Sequence, residues 1–76
     1  MSKKELLAEY ITSDLISYIV EDEKIPMLKA MQKLYSSETF SKINDFETGL
    51  YLESSPYVYD LYKTEKQNGK LMQIEI

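Results

Sequence analysis

The chain contains no cysteine, histidine, arginine or tryptophan. Without cysteine there is no disulfide, no thiolate nucleophile and no redox pair. Without cysteine or histidine, zinc, copper and iron lose the donors they favour. Every catalytic triad built on histidine is excluded. Lysine alone carries the positive charge, as a point rather than a planar fork, so no bidentate clamp on carboxylate or phosphate can form. Asp, Glu, Lys, Tyr, Ser and Thr are all that is left for chemistry. Neither an enzyme nor a cofactor is expected, and no small-molecule substrate is evident. Long apolar runs are also missing, so no segment is expected to span a membrane. The start Met-Ser-Lys-Lys-Glu lacks the apolar stretch of a signal peptide. The expectation is a soluble cytoplasmic protein.

What is present fits one small domain over residues 1–76. Apolar residues make up 43% of the 76, ordinary for a folded chain and too rich for a disordered one. A chain of this length buries only about 60% of its unfolded surface, so its core is small. Thirteen acids against nine lysines give a net charge of −4. That acidity counts against a nucleic-acid partner, which calls for a basic face.

Lys3 to Glu21 reads as a helix with Ser2 as its cap. Leu7, Ala8, Ile11, Leu15, Tyr18 and Ile19 share one stripe at helical spacing. Leu6, Tyr10, Ile16 and Val20 form a second stripe, interleaved with Glu9, Ser13 and Ser17. A helix with two apolar sides must bury both or lend one to a partner. Ser13 and Ser17, small and four apart, would let another helix approach closely. Glu21 to Lys24 reads as a charged, solvated connector. Pro26 suits a first helical turn, and a second helix to about Tyr35 follows. Met27, Ala30, Met31, Leu34 and Tyr35 share one face of it, and Lys29, Gln32 and Lys33 the other.

Ser36-Ser37 can cap a short third helix over Glu38 to Ile43, or a kinked continuation of the second. Asn44-Asp45 with Gly49 marks a loop, and Leu50-Tyr51-Leu52 reads as extended. Ser54-Ser55-Pro56 signals a last helix to about Gln67, stopped by Asn68-Gly69. Its inner face would be Tyr57, Val58, Leu61 and Tyr62, with Tyr59 pointing away. The core should centre on Leu7, Ile11, Leu15, Met31, Leu34, Leu61 and Tyr62, within an ordered span of about 3–68. The apolar tail, Leu71 to Ile76, is expected to fray or to add a strand. The fold class is all-α: a small three- to four-helix domain with a central N-terminal helix.

Three motifs fail on inspection. Asn44 to Ser55 sets Gly49 where a calcium loop needs glycine, but Phe46 and Ser55 stand at ligand positions. Glu21, Asp22 and Glu23 could act as acid and base only in a desolvated cleft. Lys24, Lys29, Lys33 and Lys42 are the only basic concentration, and they offer little for reading bases. The seven tyrosines are the most unusual feature. Tyrosine suits half-buried and interface positions. With the second stripe they give a candidate interface: Leu6, Tyr10, Ile16, Val20, Tyr51 and Tyr59.

Leu34-Tyr35-Ser36-Ser37-Glu38-Thr39-Phe40, then Asp45-Phe46-Glu47-Thr48-Gly49-Leu50-Tyr51, then Ser55-Pro56-Tyr57-Val58-Tyr59 resembles a recurring pattern in short uncharacterised bacterial proteins. The resemblance spans about residues 5–66 and implies a gene neighbourhood that holds small toxin-like proteins. It implies no active site. The function expected is a non-catalytic protein-interaction module, antitoxin-like or regulatory, self-associating as a homodimer or covering another protein. The alternative is a small dimeric DNA-binding regulator using Lys29 and Lys33.

Overall fold

The computed structural model describes residues 2–68. The expectations for Gly69 and for the tail Leu71 to Ile76 lie outside these residues. Within them the protein is an all-α domain of four helices: α1 Lys3–Glu23, α2 Met27–Tyr35, α3 Glu38–Ile43 and α4 Ser55–Asn68. A single 3-10 turn, Leu50–Leu52, precedes α4. The long helix α1 is central, touching α2, α3, α4 and the 3-10 turn.

Local chemistry sets the helix ends. The Ser2 hydroxyl accepts from the Glu5 N–H at 3.2 Å, and the Glu5 carboxylate accepts from the Ser2 N–H at 3.0 Å. This reciprocal pair satisfies two N–H groups that the first turn leaves unpaired. Between α2 and α3, Ser37 does two jobs. Its hydroxyl accepts from the Phe40 N–H at 3.1 Å and donates to the Leu34 carbonyl at 2.6 Å. The break therefore separates two helices rather than kinking one. Ser54 caps α4 by accepting from the Tyr57 N–H.

The core joins Ala8, Ile11, Leu15 and Ile19 of α1 to Ala30, Leu34, Ile43, Leu50, Val58, Tyr59 and Tyr62. The first stripe of α1 thus faces inward as expected, although Leu7 is only half-buried. Met31 and Leu61, also expected inside, are half-buried.

Three expectations are corrected. Glu21 to Glu23 are not a connector. The helix runs through them and stops at Lys24, whose left-handed backbone (φ 57°) turns the chain toward Pro26. Asp22 and Glu23 stay helical because each has a specific partner: the Tyr59 hydroxyl and the Lys33 ammonium. Leu50 to Leu52 are helical rather than extended, since the Leu52 and Glu53 N–H groups bond back to the Gly49 and Leu50 carbonyls. Gly49 itself sits at φ 73°, a conformation that favours glycine. Finally, α4 buries Val58, Tyr59, Tyr62 and Glu65 and leaves Tyr57 exposed. Its inward face is turned by roughly 60° from the expected one, at 100° per residue.

Candidate interaction groove

An open groove of about 390 Å³ runs between α1 and the α2–α3 pair. One wall is α1, contributing Glu9, Thr12, Ser13, Ile16 and Ser17, so that Ile16 alone of the second stripe's apolar residues lines it. The other wall is Met27, Met31 and Tyr35 of α2, with Phe40 of α3 and Asn44 beyond it. Ser13 and Ser17 keep the α1 wall low, as their four-residue spacing implies. Tyr35 and Phe40 pack ring to ring at 4.9 Å and form the far lip.

The groove offers apolar surface rather than a set of converging polar groups. The Thr12 hydroxyl is already spent on the Ala8 carbonyl at 2.8 Å. The Asn44 amide donates to the Phe40 carbonyl at 3.0 Å. Meanwhile Met27 is 64% exposed and Tyr35 47%, with Leu28 beside them at 67%. Contiguous exposure of this kind marks interaction sites more often than chance. Methionine, unbranched and polarisable, adapts to differing partner surfaces.

The candidate interface residues fall in four places. Ile16 lines the groove, and Ile16 and Val20 are partly covered by the core behind them. Leu6 and Tyr10 are exposed on α1, Tyr10 at 61%. Tyr51 lies elsewhere, half-buried with its ring 5.3 Å from that of Phe46. Tyr59 is a correction. It does not point away but is buried, 8% exposed, between Tyr18 and Tyr62 at ring separations of 5.1 and 6.0 Å. Its hydroxyl donates to Asp22 at 2.6 Å, a bond made possible by the extra length of α1. Burial, then the bond to Asp22, raises the Tyr59 pKa well above the ordinary phenol value. Of the Leu50–Leu52 turn, which packs on α1, Leu50 is buried and Leu52 exposed.

Two features escaped the sequence reading. The α2 wall is one: Met27, Met31 and Tyr35 share the apolar face of that helix with Ala30 and Leu34, and a spacing that suits any buried helix face does not mark Met27 and Tyr35 as exposed. The second is Glu65, a buried acid of α4. Its carboxylate accepts from the Glu38 N–H at 2.8 Å, the Thr39 N–H at 3.0 Å and the Thr39 hydroxyl at 2.8 Å. It caps α3 from a neighbouring helix and so fixes the element that carries Phe40 into the groove. No local pattern marks such a cap, since its partners lie 26 and 27 residues away.

Among the described residues no helix is long and apolar enough to cross a membrane. None of their acids gather in threes as a metal-binding set. No family model, curated protein or solved structure matches the chain.

Proposed function

We propose that the chain is a non-catalytic protein-interaction module that seats a partner's amphipathic helix in the α1–α2–α3 groove. The observation that carries this is the apolar wall of exposed Met27 and Tyr35 and half-buried Met31 and Phe40, facing a low, serine-lined stretch of α1. Helix-in-groove recognition needs such a surface, read by anchors spaced along one helix face. An antitoxin-like or regulatory role in a bacterial cytoplasm is one form of it. That form is consistent with the resemblance of the Leu34–Tyr59 segments to short bacterial proteins. A second copy of the chain is the competing occupant, giving a homodimer that Tyr10→Glu or Ile16→Glu would weaken. The DNA-binding alternative draws less support, because Lys33 is engaged by Glu23.

The test is a photo-crosslinking residue placed at Tyr35 and, as a control, at Glu53, in cells that express the protein natively. The proposal expects a discrete protein adduct from Tyr35 and not from Glu53. A Ser13→Lys substitution on the opposite wall should abolish it without changing the helical circular dichroism. Equal adducts from both positions, or an adduct indifferent to Ser13→Lys, would contradict it. An adduct of twice the chain mass would assign the groove to a second copy.

A further inference from the structure

The charges around the groove are unevenly placed. After Lys4, α1 carries Glu5, Glu9, Asp14, Glu21, Asp22 and Glu23 and no base. Four of these are engaged within the protein: Glu5 accepts from the Ser2 N–H, Asp14 from Ser55, Asp22 from Tyr59 and Glu23 from Lys33. Glu9 is different. It is exposed, lines the groove and is the only charged lining residue among the described residues. Glu5 lies one turn before it on the same side of the helix. At the far lip Asn44 leads into Asp45. The lysines of α2 do not offset these acids. Lys29 stands two residues from both Met27 and Met31, which at helical spacing puts it on the opposite side of α2. Lys33 is held by Glu23. Among the described residues no lysine lines the groove.

Resting on the groove reading above, we infer that the preferred occupant is a cationic amphipathic helix: apolar on one face, with lysine or arginine flanking it. Apolar anchors meet Ile16, Met31 and Phe40, while flanking cations meet Glu9 and Glu5. Complementary charge of this kind governs partner choice and encounter rate more than total affinity. The same distribution disfavours a second copy. Each copy would bring the same uncompensated Glu9 and a net charge of −4, with no cation in the described groove lining to meet them. An anionic membrane surface is disfavoured for the same reason.

The test uses two synthetic amphipathic helices of equal length and apolar spacing, one with lysine and one with glutamate at every polar position. Fluorescence anisotropy with the full chain should give a dissociation constant about tenfold lower for the lysine peptide, a difference of about 1.4 kcal/mol. Raising the salt from about 50 to about 500 mM should erode that preference, since exposed charges are screened. Glu9→Lys should remove it. The exposed pair Met27→Gln with Tyr35→Gln should weaken both peptides without unfolding the domain. Equal binding of the two peptides, both weakened by the Met27/Tyr35 pair, would overturn the charge preference and leave the groove standing. Binding of the lysine peptide that ignores the Met27/Tyr35 pair would be general attraction to an acidic chain. That outcome, or no binding of either peptide, would overturn the groove and the inference together.

Discussion

Two buried tyrosines of α4 differ in one atom's surroundings, and their substitutions should differ in sign. The Tyr59 hydroxyl has Asp22, whereas the Tyr62 hydroxyl is buried without a partner among the described residues. A buried polar group left unpaired costs stability that its removal returns. Tyr62→Phe should therefore raise the urea midpoint, by about 1 kcal/mol in stability, while Tyr59→Phe should lower it by about as much. A loss on Tyr62→Phe would mean that its hydroxyl has a partner after all. Both phenols also make the fold sensitive to alkali. Burial, then the charges of Glu23 and Glu65, pushes Tyr62 up to about 12, and Tyr59 is raised as well. The unfolded chain releases these protons near pH 10 and the folded chain holds them longer, so the folded state binds more protons in that window. The stabilisation is complete below about pH 10 and is lost as the pH climbs through the folded values. A pH titration of the unfolding midpoint should show that decline, and it should shrink in Tyr59→Phe.

The helices were legible in the sequence wherever local chemistry decided them. Ser2, Ser37 and Ser54 each cap the helix they precede, and Ala8, Ile11, Leu15 and Ile19 of the first stripe of α1 are buried. Misses occurred where a distant group decided the matter. Asp22 and Glu23 extend α1 because Tyr59 and Lys33 wait for them, and Glu65 turns the face of α4 because it caps α3. The groove was half legible. Its α1 wall followed from a helix with two apolar sides, but its α2 wall looked like core. Two turns between elements give a matched pair of predictions. Lys24 occupies left-handed backbone that costs a residue with a Cβ about 1 kcal/mol, so Lys24→Gly should stabilise the fold. Gly49 occupies the same region with open space around its absent Cβ, so Gly49→Ala should cost about 1 kcal/mol from the backbone alone. Urea denaturation of both variants checks the opposed signs.

For the whole molecule, α1 divides the labour. One side of it holds the core together, and the other side faces a groove that the described residues leave open. Stability and recognition should therefore separate. Exposed groove substitutions such as Met27→Gln should leave the unfolding midpoint within about 0.5 kcal/mol of the parent. The most direct test of the groove as the recognition surface is a backbone amide NMR titration of the isotopically labelled chain with the lysine amphipathic peptide. The account predicts saturating shifts concentrated at Ser13, Ile16, Met31, Tyr35 and Phe40. Shifts centred instead on Asp60 and Glu53, or spread evenly over every exposed acid, would contradict it.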